Sequence, residues 1–195
     1  MKIAIMQPYV FPYIGYLQLI HAVDLFVFLN DVNFIKKGWI NRNRILLDGK
    51  EFTFTIPCKN ISQNKRICDT ELNLSADQKF KLLKTFEHAY RKAPNFDSVY
   101  QLVNKVLDSD VQYIDQLAIQ SITLICEYLE IHTPLCESKD RYQNSELRKE
   151  DRLIDICQRE QAEHYVNAKG GISLYSKEQF GEKGVKLSFL DTGNI

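Results

Sequence analysis

The fifteen residues from Asn30 to Arg44 hold four cations (Lys36, Lys37, Arg42 and Arg44), the asparagines Asn33, Asn41 and Asn43 beside an Asn30-Asp31 pair, and the single tryptophan of the chain, Trp39. Such a mixture is poor material for a core. Guanidinium and amide groups recognise carboxylates and phosphates through directional hydrogen bonds, and an indole offers a flat face to a planar group. The segment therefore reads as a site for an anionic, partly planar ligand. Asp31 is its acidic member, suited to act as a general base or to orient an amine nucleophile, and Lys37 is the cation assigned with it to catalysis. A second stretch of the same kind runs from Gln7 through Tyr9 and Tyr13 to Gly15 and Tyr16. Its prolines, Pro8 and Pro12, keep it extended, and it empties into a helix start near Gly15, where unpaired N–H groups form a ready anion site. Taken singly, these residues have ordinary structural readings: Lys36-Lys37 as a solvated turn, Trp39 as a loop anchor, the prolines as stiffeners. Two such loops leaving one sheet edge together make the functional reading the stronger one.

The elements that would position these loops are legible as patterns. Ile3 to Met6 is a short apolar run ended by Gln7-Pro8, as in a strand buried on both faces. Tyr16, Leu19, Ile20 and Val23 recur at helical spacing, and Leu25 to Leu29 reads as a second buried strand. Residues 44–56 form a hairpin around Asp48-Gly49. Helical patterns follow over about 76 to 92, 97 to 108 and 111 to 130, the last apolar around much of its circumference and expected in the interior. The remainder alternates: strand 132–137, helix 148–161, strand 163–167, a Gly170-Gly171 turn, a short helix near 176–182 and strand 185–190. This rhythm predicts an α/β fold, a Rossmann-like three-layer domain over residues 1–195 with a mainly parallel sheet, a helical insertion at 75–130 and a β-hairpin after the second strand. Ligands of such sheets bind beyond the carboxyl ends of the strands, the edge from which both polar loops depart. Asp24 falls at the opposite edge and reads as a turn or capping residue. Arg152, near the start of a late helix, reads first as a solvated helix residue and second as one that reaches the site. The last five residues follow directly on a strand with no obvious closing element.

Composition narrows the function. Twenty-five Lys plus Arg balance twenty-five Asp plus Glu, so no global field draws the chain to nucleic acid or anionic lipid. The partner expected is a small molecule, with a homodimer left open. The apolar run at the amino terminus is too short for a signal peptide or a membrane span, which predicts a cytoplasmic location without membrane insertion. Cys58, Cys68, Cys126, Cys136 and Cys157 are odd in number and lack metal spacing, and read as reduced thiols mostly in the interior. His21, His88, His132 and His164 stand apart, so no metal site is expected.

The run Met6-Gln7-Pro8-Tyr9-Val10-Phe11-Pro12-Tyr13-Ile14-Gly15-Tyr16 resembles the WbqC-like family of bacterial proteins, which often accompany surface polysaccharide genes. So do Asp31-Val32-Asn33-Phe34, Lys36-Lys37-Gly38-Trp39, Asn41-Arg42-Asn43-Arg44, Asn167 with Gly170-Gly171, and Leu174-Tyr175. The resemblance spans nearly the whole chain, although family members usually continue into a further strand and helix. It lifts Asn167, Gly170, Gly171 and Tyr175 into the candidate site, where backbone N–H groups of the glycine turn would cradle a phosphate. More distantly, Tyr13-Ile14-Gly15-Tyr16 is similar to the HxGH element of nucleotidyltransferases and pantothenate synthetase, with both histidines replaced by tyrosine. A neutral phenol gives no imidazolium to a leaving pyrophosphate, so Lys36, Lys37, Arg42 or Arg44 would have to supply that charge. The resemblances together imply an O-antigen or related polysaccharide transferase. It would pass an acyl or aminoacyl group, or form an amide, at the amine of a nucleotide-linked amino sugar. Nucleotidyl transfer with ATP and magnesium as cofactors is the runner-up, and a non-catalytic sugar-nucleotide-binding protein the third reading.

Overall fold

The computed structural model describes residues 1–193. In chain order its strands and α-helices are β1 (Lys2–Met6), α1 (Ile14–His21), β2 (Leu25–Phe28), β3 (Arg42–Leu47), β4 (Lys50–Thr55), α2 (Ala76–Tyr90), α3 (Phe96–Leu107), α4 (Ile114–Tyr128), β5 (Leu135–Glu137), α5 (Lys149–Arg159), β6 (His164–Ala168), α6 (Lys177–Glu182) and β7 (Lys186–Leu190). Contacts divide the chain into two compact units. The first comprises Met1–Gln7, Tyr13–Val32 and the chain from Glu130 onward; the second comprises Pro8–Pro12 and Asn33–Leu129. Among the described residues, no helix is long and apolar enough to cross a membrane.

The first unit is a five-stranded sheet in the order β5-β2-β1-β6-β7, with every neighbouring pair parallel. This is the Rossmann-like layering that the strand-helix alternation predicts. Ile3, Ala4 and Ile5 of β1 are all buried, as a central strand covered on both sides requires. On one face α1 packs Tyr16 against Phe26, ring centroids 5.3 Å apart. The other face gathers Ile3, Ile5 and Val27 with Leu153 and Ile156 of α5 and Phe180 of α6. There Tyr165 of β6 stacks on Phe180 at 5.3 Å and 12°. At the amino edge of the sheet, the Asp24 carboxylate accepts the Lys2 backbone N–H at 2.6 Å, the turn role expected of it.

In the second unit, β3 and β4 pair antiparallel across Asp48-Gly49, whose φ angles of 50° and 73° are those of a type I′ hairpin turn. The ladder begins at Arg42↔Thr55, so Arg42, Asn43 and Arg44 are strand residues. The sequence pattern places Arg42 and Asn43 in the preceding loop because charged residues mask the period of two. Helix α2 starts where a capping box closes: Ser75 Oγ accepts from Gln78 N at 3.3 Å, and Gln78 Oε1 accepts from Ser75 N at 2.9 Å. Helix α4 departs from the expected all-round burial. Ile114, Leu117, Ala118, Ile122 and Cys126 form one buried stripe, while Glu127 and Tyr128 are exposed. The surplus apolar residues that suggest a fully interior helix are only half-buried.

Candidate functional site

The strand order reverses between β1 and β6, since the chain steps from β1 to β2 on one side and later returns to β6 on the other. Such a reversal opens a crevice at the carboxyl ends of the strands. Here the opening is visible in the ladder: β1 and β6 are in register only at Lys2↔His164 and Ile3↔Tyr165. Beyond that point the Tyr165 hydroxyl donates to the Ile5 carbonyl at 3.4 Å. Around this point the first unit assembles Gln7, the start of α1 and the end of β6. In the first turn of α1 only Tyr16 N–H turns back, onto the Tyr13 carbonyl at 3.0 Å. The amides of Ile14 and Gly15 have no backbone acceptor among the described residues and are free to meet an anion.

Gly15 leaves room for the side chains that lie over it. A Cβ there would stand 2.3 Å from the Tyr13 ring and 2.9 Å from the Thr192 methyl. Tyr13 itself is exposed. Tyr16, by contrast, is a core residue, 1% exposed, with its hydroxyl donating to the Gln7 carbonyl at 2.9 Å; it anchors the strand end. At the tip of β6, Asn167 is 4% exposed. Its Oδ1 accepts the Ala168 N–H at 2.7 Å, and its Nδ2 donates to no acceptor among the described residues. Gly171 lies against that amide, since a Cβ at 171 would meet Asn167 Nδ2 at 2.6 Å. Gly170 is open, with nothing within 4 Å of its Cβ position. Tyr175 turns inward instead, edge-on to Tyr165 and Phe180, both at 6.3 Å. Lys169 and Asp191 form an exposed pair at 2.5 Å, and that lysine holds the Asp191 carboxyl below the usual carboxylate range.

A second polar cluster occupies the carboxyl ends of β2 and β5. Asp31 is buried, and both its oxygens are engaged: Ser138 Oγ donates to Oδ1 at 2.5 Å and Arg152 Nη2 donates to Oδ2 at 2.6 Å. Arg152 also donates from Nε to Asn144 Oδ1 at 3.0 Å, and Asn144 Nδ2 donates to Asp155 at 2.6 Å. The expectation of a solvated Arg152 is therefore corrected. Its side chain is 7% exposed, as is that of Asp31, because α5 turns this position toward the sheet edge, where a buried carboxylate compensates the charge. Asn30 completes the cluster by donating to Glu137 at 2.7 Å and accepting from Lys139 N at 3.1 Å.

The remaining candidates belong to the second unit, where most find internal partners. Asn41 donates to the Ile56 carbonyl at 2.8 Å, and Asn43 to the carbonyl of Phe11, so both brace the backbone. Val10 N–H donates to the Ile40 carbonyl at 3.1 Å, which ties the stretch containing Tyr9 to the start of the hairpin. Arg42 donates to the carbonyls of Gly38, at 2.9 Å, and Lys37. Lys37 has the left-handed φ of 63°. Arg42 and Arg44 lie on one face of β3, as a period of two dictates, with their guanidiniums 5.5 Å and 4.7 Å from the Trp39 ring. Arg44 also pairs with Glu51 at 2.8 Å. Asn33, Lys36 and Lys37 are exposed, and the two lysines form no ion pair among the described residues. Because Arg42 pins the turn at Lys37-Gly38, Arg42→Ala removes bonds worth about 1 kcal/mol net at a half-buried position. Tryptic cleavage after Lys37 is then expected to accelerate about fivefold, and unchanged digestion kinetics would show that the turn holds without it.

Burial pushes Cys58 and Cys157 up to about 12 and Cys126 up to about 11. Sequence reasoning missed Ser138, Asn144, Asp191 and Thr192. Each is a common loop residue without a motif, and only the strand order brings it to the carboxyl edge.

Three comparisons bear on this arrangement. The sequence model of the WbqC-like protein family matches residues 7–195. The chain is 28% identical over 192 residues to the uncharacterized protein Rv1507c of Mycobacterium tuberculosis, covering 97% of this chain and 82% of that one. No solved structure matches it significantly.

Proposed function

This chain belongs to the WbqC-like protein family, and from that premise we propose that it is an enzyme of bacterial surface-polysaccharide assembly that transfers an acyl or aminoacyl group to the amine of a nucleotide-linked amino sugar. The observation that supports this most is the opening between β1 and β6, flanked by the free Ile14 and Gly15 amides, the unspent Asn167 Nδ2 and the Gly170-Gly171 turn. A diphosphate needs hydrogen-bond donors and close backbone approach; the unpaired amides and Asn167 Nδ2 are such donors, and the open Gly170 position allows such an approach. In the transfer, the amine nitrogen attacks the carbonyl carbon of the acyl donor and a C–N bond forms. The bond to the donor's leaving group breaks with its electron pair, and the proton lost from the nitrogen is taken up by that departing group.

Asp31 takes a different part in this reading from that of a free base. With an arginine on one oxygen and a serine hydroxyl on the other, it serves as a positioning residue that fixes the ends of β2 and β5. In the second unit, Lys36, Lys37 and the Trp39 stack with Arg42 and Arg44 are assigned to holding an anionic, planar group. Nucleotidyl transfer draws no support from the geometry, because the Tyr16 hydroxyl, in place of the second histidine of an HxGH element, is spent on Gln7.

Native mass spectrometry of freshly purified protein, followed by incubation with UDP-linked amino sugars and an acyl donor, tests the proposal. A retained sugar nucleotide and a product heavier by the acyl mass are expected. ATP- and magnesium-dependent release of pyrophosphate without acylation would replace this reading with nucleotidyl transfer. Gly15→Ala provides a finer test. Alanine favours a helix over glycine by about 1 kcal/mol, so stability should hold or rise. The new methyl must displace the Tyr13 ring and crowd Thr192, and affinity for the nucleotide-linked sugar should fall at least about tenfold. Intact affinity would remove the α1 start from the site.

A further inference from the structure

We propose that Lys169 is the cation that receives the diphosphate at the opening between β1 and β6, and that in the ligand-free protein Asp191 holds it there as an internal stand-in for a phosphate oxygen. The assignment rests on the reading of that opening as a diphosphate site. The donors named there, the Ile14 and Gly15 amides and Asn167 Nδ2, are all neutral, whereas a diphosphate carries more than one negative charge. Neutral donors orient such a group, and a cation beside them makes the stronger, charge-assisted bonds. Arg152 cannot serve, because its guanidinium is spent on Asp31 and Asn144.

Lys169 is tied to the opening through the chain that follows β7. It stands two residues after Asn167, at the tip of β6, and directly before the open Gly170 position. Its ammonium meets the Asp191 carboxylate at 2.5 Å. The next residue, Thr192, lies over the start of α1, its methyl 2.9 Å from where a Gly15 Cβ would stand. The residues after β7 therefore pass from the edge of the sheet toward α1 and bring a carboxylate to the tip of β6 on the way. Asp191 Oδ1 also accepts the Gly193 N–H at 3.0 Å, which keeps the carboxylate turned along its own chain. The ion pair is free to exchange. Its side chains are 57% and 70% exposed, and a pair so open to water contributes little to stability. A phosphate group that also collects the amides and Asn167 Nδ2 offers the ammonium a more highly charged partner than the carboxylate does. The lysine then passes from Asp191 to the ligand without a proton moving or a covalent bond changing.

Calorimetry on the full chain with UDP, dTDP and GDP, continued with whichever binds tightest, tests the assignment, and thermal unfolding confirms that each variant folds. Lys169→Met should weaken the nucleoside diphosphate at least about tenfold, while Lys169→Arg keeps it within about threefold of the wild type. Lys139→Met, the same loss of charge just past β5 at the opposite edge of the sheet, should change it by less than about twofold. Asp191→Asn should tighten binding about threefold, and by less when Lys169→Met is already present, because the competing carboxylate then has no lysine to withhold. If Gly15→Ala weakens binding and Lys169→Met does not, the diphosphate site stands and the lysine is no part of it. If Asp191→Asn fails to tighten binding, or tightens it equally in both backgrounds, Asp191 is no stand-in. Absence of binding of all three nucleotides by the wild type and by Asp191→Asn overturns the diphosphate site and this assignment together.

Discussion

Replacing Arg152 with alanine is expected to destabilise the first unit by about 3–5 kcal/mol, the usual cost of leaving a buried charge without its partner. The Asp31 carboxylate would keep only the Ser138 hydroxyl, and Asn144 would lose the donor to its Oδ1. The measurement is urea unfolding, where the midpoint should fall steeply while the slope is unchanged. A double variant discriminates the cause. Asp31→Leu with Arg152→Met removes both charges, and because a buried pair replaced by apolar groups is often neutral, most of the lost stability should return. If the double variant is no more stable than Arg152→Ala, packing of the arginine stem and not charge compensation holds this edge. In the proposed enzyme, that restored double variant should still transfer poorly, since the ends of β2 and β5 would no longer be fixed by the Asp31-Arg152-Asn144 chain.

Asn167→Ala should produce the largest effect on binding. The Nδ2 group is a nearly buried donor with no protein acceptor among the described residues, and a hydrogen bond from it to a charged phosphate oxygen is worth about 1.5–3 kcal/mol, roughly 10- to 150-fold in affinity. Asn167→Asp refines the test. Aspartate retains the oxygen that accepts Ala168 N–H, so folding should be preserved, but it replaces the donor with a negative charge, and binding of a diphosphate should fall below that of the alanine variant. Calorimetry with a nucleotide-linked amino sugar, alongside thermal unfolding, reads both quantities. Equal affinity for the wild type and for both variants, Asn167→Ala and Asn167→Asp, would take the end of β6 out of the site.

Much of this molecule was legible from local pattern. The hairpin turn was readable because Asp48-Gly49 is one of the few pairs that tolerate two positive φ angles in succession. The start of α2 was readable from the helical pattern beginning near residue 76, and the structure adds the reciprocal bonds of Ser75 and Gln78 that close it. The alternation after Glu130 announced the parallel sheet, since parallel strands need a crossover between them. Tyr16 was harder, because the same residue type at a helix start serves equally as a ligand contact or as a core ring, and only packing against Phe26 decided it. Arg42 and Arg44 carried the right charge for a site, but their hold on the Lys37 turn and on Trp39 follows from a strand face that the charged residues concealed.

The sequence by itself determined the elements, the edge from which the polar loops leave and the family, because hydrophobic period, turn chemistry and motif are properties of a few consecutive residues. Only the tertiary structure decided which polar groups are spent and which are free. Asp31 meets Arg152 across 121 positions and Ser138 across 107, and the ladder between β1 and β6 stops after Ile3. The energy of a buried charge depends on what surrounds it in space, and no short window of sequence contains that information.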